Sequence, residues 1–507
     1  MRFGTVLFLV GALAILLGVN MLPAVAWGVY FGEHQAIGSL LASMGISLVL
    51  GITLMVIFRG KRADVGPREG FAVAALSWIV LAGLGALPFF IGGHIPSYID
   101  AYFETMSGLT TTGASILTSG GGAERTDIES LPQCLLFWRS YTHWLGGMGI
   151  IVLSLALLPM LGVGGMQIYR AEVPGPTADK LVPRVRQTTK LLWGIYVLLS
   201  LAQCVLLWVH PNVSLFDAMC HTFGTMATGG FSTHSASIKY FDSAYVDVVI
   251  IVFMVLAGTN FALHYAGLHG RLKAYLKNGE FMFYVGVLAG AVLLVWAVMA
   301  SRMGVGGALR RAAFQVVSIT TTTGYTTANF DVWPVMVRLG LVVLMFFGGC
   351  AGSTGGGIKH VRVLLLIKHA GIELRRLLHP QAILPVRLNG RPVKDRVIQS
   401  IQAFVVLYIG IFVVASIVMT GVLLIWPASM APDGQEVTSD TVMVTAVSSV
   451  AATLNNIGPG LGHVGPGEIR GYSWVPPVGK IVLTFCMLIG RLEVFTVLLL
   501  FVPWFYR

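Results

Sequence analysis

Long apolar stretches alternate along the chain with short polar links. The stretches predict helices at about 4–31, 36–58, 69–93, 131–161, 187–210, 243–268, 280–301, 334–370, 397–426 and 477–505. Each is long enough to cross a bilayer. Four shorter segments of intermediate hydrophobicity lie between them, at about 98–110, 214–226, 308–320 and 439–453, each too short to cross. The first run passes Ala24-Val25-Ala26, which suits signal-peptide cleavage. Because the run continues to about Phe31, it is read as a retained span.

Every short segment ends in a small, polar, glycine-bearing turn. These turns read Thr111-Thr112-Gly113-Ala114-Ser115, Ala227-Thr228-Gly229-Gly230-Phe231-Ser232, Thr322-Thr323-Gly324-Tyr325-Thr326 and Asn455-Asn456-Ile457-Gly458-Pro459-Gly460. The unit span, short helix, glycine turn, span therefore occurs four times. Repeats of this kind in a membrane chain point to a transport path on the repeat axis. A single TTG or GG in a membrane helix is more often a close-packing site; four copies at one place in four units argue against packing alone.

Composition fits this reading. Of 507 residues, 56% are hydrophobic and 11% charged, with mean hydropathy +0.80. Soluble domains carry roughly 25% charged residues, so the chain is an integral membrane protein. Its formal charge of +11 does not signal nucleic acid, because the basic residues sit in short links. Arg59, Lys61, Arg62 and Arg68 share one link. Arg170, Lys180, Arg184, Arg186 and Lys190 share another, and Arg271, Lys273 and Lys277 a third. The link from Lys359 to Arg396 holds nine. All four fall on one side, which should be cytoplasmic, and both termini then come out cytoplasmic. The opposite links carry Glu33, Glu124, Asp127, Glu129, Asp242, Asp433 and Glu436, with Arg302, Arg310 and Arg311 as exceptions. Cys134, Cys204, Cys220, Cys350 and Cys486 form no paired spacing and read as packing residues.

Non-helical backbone at membrane depth is tolerated only inside protein or beside a wet cavity. Four glycine turns meeting on one axis would offer a ring of carbonyls able to replace the water shell of a monovalent cation. Glycine permits the backbone angles, and threonine hydroxyls can extend the oxygen lining. Acidic and hydroxyl residues open three of the short helices: Asp100 and Glu104, Ser214 and Asp217, Ser439 and Asp440. These favour helix N-termini, so the negative helix ends face the turns. The third helix opens on Arg310 and Arg311, which this scheme leaves unexplained.

A second anomaly lies in the eighth stretch. Gly348-Gly349-Cys350-Ala351-Gly352-Ser353-Thr354-Gly355-Gly356-Gly357 has six glycines in ten residues, and each costs about 1 kcal/mol relative to alanine in a helix. The segment reads as a broken helix whose middle forms a movable constriction, or as a simple loop after a short helix. Arg491 in the last span should face the interior, paired with Glu493 or capping carbonyls of that segment. Arg491 and Lys359 each suit either a barrier to cations or a structural ion pair. Arg139 reads as structural, and the isolated His143, His221 and His264 carry no metal or relay assignment.

The chain resembles the superfamily of potassium transporters that includes the bacterial Trk and Ktr systems and the plant HKT proteins. Within it, the chain is similar to the membrane subunit of the Trk system. The carrying pieces are WRSYTHWLGGMGIIVL from Trp138, MATGGFSTH from Met226, GGCAGSTGGGIKHVR from Gly348, LNNIGPGLG from Leu454 and GRLEVFT from Gly490. The resemblance implies an all-α membrane protein with four span–pore helix–span repeats around a pseudo-fourfold pore, preceded by two extra transmembrane helices. The units would be 1–62 for those helices, then 63–168, 169–272, 273–390 with a gating loop at 348–358, and 391–507. The filter glycines implied are Gly113, Gly229, Gly324 and Gly458. Potassium would meet carbonyls at Thr112, Thr228, Thr323 and Ile457, flanked by Thr111 and Asn456. One glycine per repeat implies looser discrimination among alkali ions than a TVGYG filter gives.

The function expected is potassium uptake across the bacterial inner membrane, with the potassium ion as substrate, no cofactor bound by the chain and no enzymatic activity. Neither a Walker motif nor a GxGxxG loop is visible. Nucleotide control would come from a TrkA-like cytosolic ring that binds NAD(H) and adenine nucleotides, docked on the basic 359–396 link. The resemblance also implies a homodimer among membrane lipids. Three rivals remain: a sodium- or proton-coupled symporter, which needs intramembrane carboxylates; a membrane enzyme, which needs an acid, base or metal cluster; and a receptor or scaffold without flux.

Overall fold

The computed structural model describes residues 1–59, 66–117, 127–157, 181–382, 384–426, 438–466 and 471–503. The basic residues Lys61, Arg62, Arg170 and Lys180, the acids Glu124, Asp433 and Glu436, and the predicted helix ends at 158–161 and 504–505 lie outside them.

The fold is almost entirely helical. Helices α1 (Phe3–Val19), α2 (Leu22–Phe31) and α3 (His34–Ile57) precede the repeats, with α1 and α2 forming one apolar run of 29 residues. Glycines let α1 and α3 approach closely: a methyl on Gly51 would lie 2.6 Å from Gly11 O. The first repeat is α4 (Pro67–Ile91), α5 (Tyr98–Leu109) and α6 (Gln133–Leu157). The second is α7 (Leu181–Trp208), α8 (Leu215–Met226) and the pair α9 (Ala244–Ala257) and α10 (Phe261–Leu268). A short α11 (Lys273–Lys277) leads to the third: α12 (Gly279–Met303), α13 (Val305–Thr320), α14 (Val335–Met345) and α15 (His360–Leu378). A hairpin of β1 (Arg387–Leu388) and β2 (Arg391–Pro392) follows. The fourth repeat is α16 (Asp395–Ile425), α17 (Ser439–Leu454), α18 (Pro477–Leu492) and α19 (Val494–Leu498).

The four short helices α5, α8, α13 and α17 are related by cyclic packing. In each repeat the closing span packs against the next repeat's short helix: α6 on α8, α9 on α13, α14 on α17, and α18 back on α5. That closure is the pseudo-fourfold arrangement. One apolar core lies around the N-terminal helices, the first repeat and the fourth, with Trp138 and Tyr408 buried in it. Another joins the second and third repeats through Tyr196, Tyr284 and Tyr325.

Ten spans were expected, with only the eighth broken; three closing spans are broken, the eighth as expected and two others besides. The 243–268 stretch bends by 103° between α9 and α10, where Asn260 accepts from Ala262 N–H and starts a new helix. The 477–505 stretch bends by 118° at Glu493, whose φ is 64°. The 334–370 stretch stops at Met345, and helix resumes only at His360. Among the described residues six helices are long and apolar enough to cross, or eight if each bent pair counts as one span.

Short-helix starts follow the capping chemistry. Ser97, Ser214 and Thr438 accept from the N–H of Asp100, Asp217 and Thr441. Glu104 has a different role, described below. The basic start of α13 is explained by an ion pair between repeats: Arg310 Nε lies 2.6 Å from Asp247 Oδ2.

Candidate functional site

All four short helices end with one backbone motif. After α5, Thr111 N–H donates to Gly108 O at 3.0 Å and Thr112 N–H to Ser107 O at 2.8 Å. After α8 the pairs are Thr228 to Thr225 at 3.0 Å and Gly229 to Gly224 at 2.7 Å. After α13 they are Thr322 to Ile319 at 3.0 Å and Thr323 to Ser318 at 2.9 Å; after α17, Asn456 to Thr453 at 3.2 Å and Ile457 to Ala452 at 2.8 Å. This is the Schellman closure, which needs a left-handed residue just past the helix. Thr111, Thr228, Thr322 and Asn456 supply it, at φ 51°, 54°, 60° and 55°. Two residues on, Gly113, Gly230, Gly324 and Gly458 turn left-handed again at φ 78°, 79°, 83° and 101°.

This motif fixes the register, and it shifts the second repeat by one residue from the sequence expectation. The counterpart of Gly113 is Gly230, not Gly229, and the counterpart of Thr112 is Gly229, not Thr228. Gly229 is not left-handed. It is small because the ring of His143, from α6, fills the space a side chain would need. That imidazole stacks on Phe231 at 4.0 Å.

The turns meet in a closed ring. A methyl on Gly113 would overlap Gly229 O, one on Gly230 would overlap Thr323 O, and one on Gly324 would overlap Ile457 O. On Gly458 it would come within 2.8 Å of Thr112 O, completing the circuit. Amides at these positions turn back into the helices, while the four carbonyl oxygens abut the neighbouring glycines. All four glycines also line one cavity of about 110 Å³ on the face of the ring, with Arg139 and Tyr472 on its wall. Tyrosines brace the ring from behind: Tyr472 donates to Gly458 O at 2.7 Å, and Tyr325 to Phe231 O at 3.3 Å.

The side chains do less than the sequence suggested. The Thr110 and Thr112 hydroxyls pair at 2.8 Å, as do those of Thr321 and Thr323. The Asn456 amide donates to Thr112 Oγ1 at 2.9 Å and to Met487 O at 3.0 Å, stitching the fourth repeat to the first. The ring is thus chiefly main-chain oxygen.

Beside it, a buried cluster holds the first two repeats together. Arg139 Nε meets Glu104 Oε1 at 2.7 Å, and Glu104 also accepts from Ser115 Oγ and Ile116 N–H, both at 2.8 Å. Arg139 donates to Ser232 O at 2.9 Å and lies 3.6 Å above the Phe231 ring. On the rim, between α5 and α6, burial and a hydrogen bond with Glu129 raise the Asp127 carboxyl above its usual range.

Against the helix ends lies the irregular segment 346–359. Gly348 and Ile358 bond through N–H and O at 2.8 Å, so its two ends pair. Gly356 N–H donates to Thr322 Oγ1 at 2.7 Å, and Thr354 Oγ1 donates to Met226 O at 3.0 Å. A methyl on Gly356 would lie 2.6 Å from Asn455 O. The segment therefore touches the ends of the second, third and fourth short helices at once, on the side where their carbonyls emerge. Cys350 N–H donates to Gly258 O at 2.8 Å, and Phe261 N–H to Gly352 O at 3.1 Å, so the break between α9 and α10 seats it laterally. Arg491 reaches from α18 to Thr354 O at 2.7 Å and to Gly146 O at 3.2 Å. Glu493 instead pairs with Arg362, with both distances at 2.8 Å. Lys359 Nζ donates to Gly355 O.

Four span units closed around a carbonyl ring, with one chain segment packed against it, define a membrane transport protein. The TrkH family, described as cation transport protein, matches residues 41–504. "Trk system potassium uptake protein TrkH" of Escherichia coli K12 is 41% identical over 517 residues, covering all of both chains. "Trk system potassium uptake protein TrkG" of the same organism is 32% identical over 504 residues, covering 98% of this chain and 97% of the relative. The crystal structure of the potassium transporter TrkH from Vibrio parahaemolyticus superposes with a TM-score of 0.86 at 36% identity, covering 100% of each chain. The chain belongs to the TrkH family of cation transport proteins and is a transporter, not an enzyme.

Proposed function

We propose that this protein takes potassium up across the bacterial inner membrane, through the ring formed by Thr112, Gly229, Thr323 and Ile457 carbonyls. Thr111, Gly113, Thr228, Gly230, Gly324, Asn456 and Gly458 hold those oxygens in place. The observation that carries this reading is the cyclic contact of each left-handed glycine with the neighbouring repeat's carbonyl. The relatives named as potassium uptake proteins support the choice of ion. A carbonyl ring replaces the hydration shell of a monovalent cation at little cost because its dipoles are already oriented. An inside-negative potential adds about 2.3 kcal/mol per 100 mV to inward movement.

Segment 348–358 is the gate. It abuts three short-helix ends, and Arg491 and Lys359 tie it by its own carbonyls. The basic link 359–396 faces the cytoplasm, as do both termini, and receives a TrkA-like nucleotide-binding subunit. The protein works as a homodimer with repeat units 63–168, 169–272, 273–390 and 391–507.

Rubidium uptake into liposomes containing the purified protein tests the proposal. Uptake driven by an inside-negative potential and competed by potassium is expected. Absence of uptake would overturn it. Uptake that requires an imposed sodium or proton gradient would favour the symporter alternative.

A further inference from the structure

The loop is also held from the side away from the ring. Glu280, 2% exposed, stands in the first turn of α12. Its Oε1 accepts from Ala351 N–H at 2.6 Å and from Val361 N–H at 3.1 Å. Ala351 belongs to the loop and Val361 to the first turn of α15, so one carboxylate oxygen bridges the loop and the helix that follows it. Bonds of this charge-assisted kind are stronger than neutral ones.

One residue earlier, Gly279 N–H donates to Asn389 Oδ1 at 2.8 Å. Asn389 forms the tip of the β1–β2 hairpin, with φ 49°. The hairpin's inner side chains, Val386 and Leu388, are buried with Val361, Leu365 and Ile398, and Ala351 packs on the edge of that cluster. The hairpin therefore grips the start of α12 and the loop's own support together. Arg387 and Arg391 are both exposed, Arg391 across from Leu388 and Arg387 on the opposite face of the ribbon.

We propose that Glu280 is a latch holding the loop closed, and that the 387–392 hairpin braces that latch through Asn389. The proposal rests on the reading of 348–358 as a gate. Lifting the hairpin removes the Asn389 contact from Gly279 and uncovers the cluster under Ala351, so both supports of the latch change at once.

Cys350, 1% exposed and next to Ala351, is a native reporter. In protein whose other four cysteines are replaced by serine, the rate of Cys350 alkylation by a small cationic thiol reagent reads loop opening, beside rubidium flux. A hydrogen bond to a charged group shifts an equilibrium about tenfold or more. E280Q should therefore speed alkylation about tenfold and raise flux without partner, and N389A should do the same less strongly. The double variant should react no faster than E280Q, since both act on one latch. Alkylation of E280Q at the parental rate, or effects that multiply, would overturn the latch. If E280Q does not fold, N389A alone decides: parental rates there overturn it. Absence of rubidium flux in the parent would strike the transport reading instead, while the Cys350 rates still report on the latch.

Discussion

The one-residue register shift in the second repeat predicts opposite behaviour for two adjacent glycines. At Gly230 an added methyl meets two obstacles: φ 79° and the Thr323 carbonyl of the next repeat. Left-handed backbone costs an L-residue about 1–2 kcal/mol, and forcing an atom into filled space costs about 1–3 kcal/mol more. The sum, about 2–5 kcal/mol, is below the 5–15 kcal/mol typical of folded domains. Gly230→Ala should therefore fold and insert, but with the ring spread, losing most rubidium uptake. At Gly229 the backbone is unstrained and the nearest obstacles all belong to the His143 ring. Gly229→Ala should lose uptake too, yet His143→Ala in the same molecule should restore much of it by vacating that space. The same His143→Ala change should do nothing for Gly230→Ala, because a main-chain oxygen cannot step aside. The assay is a pair of double-mutant cycles on rubidium uptake in liposomes, each variant first checked by gel filtration. Normal uptake by Gly230→Ala, or its rescue by His143→Ala, would refute the assignment of the ring.

Other outcomes follow from the same geometry. Arg491→Gln shortens the reach to Thr354 O and removes a buried charge, so basal rubidium flux should rise; unchanged flux would leave Arg491 a packing residue. Thr322→Val deletes the acceptor for Gly356 N–H. Leaving a buried donor unpaired costs about 1–3 kcal/mol, so loop opening, read by Cys350 alkylation, should increase. Arg139→Met leaves the Glu104 carboxylate buried without its cation. Breaking such a pair costs about 3–5 kcal/mol, and a large drop in midpoint should show in thermal unfolding followed by fluorescence.

Much of this architecture was legible in the chain. Four copies of a short segment ending in Gly, each between apolar stretches, are a periodic signal that survives divergence of the individual residues. The helix-breaking run Gly348–Gly357 announced an interruption by composition alone. The register of the second turn was not legible, because Gly229-Gly230 offers two glycines and only the Schellman bonds say which is left-handed. Gly229 is there for the bulk of His143, a residue 86 positions away in sequence. The bends at Asn260 and Glu493 were hidden for a related reason. The first rests on backbone partners in the third repeat and the second has its Glu493 side chain paired with Arg362 of that repeat, so hydropathy runs through both without a break. Arg310 looked misplaced until Asp247, 63 residues earlier, came to face it. Glu280 gave no signal, since a lone acid at a helix start reads as an ordinary first-turn residue.

Among the described residues, one of the four quarters alone carries a segment packed against the ring. A channel assembled from four identical subunits would have four such obstructions, each free to withdraw in turn, and would show graded sublevels of current. With segment 348–358 as the proposed gate, a single lever would govern the whole aperture. Currents carried by one chain should accordingly switch between shut and one open amplitude, and a lesion in that lever could not be diluted by three healthy neighbours.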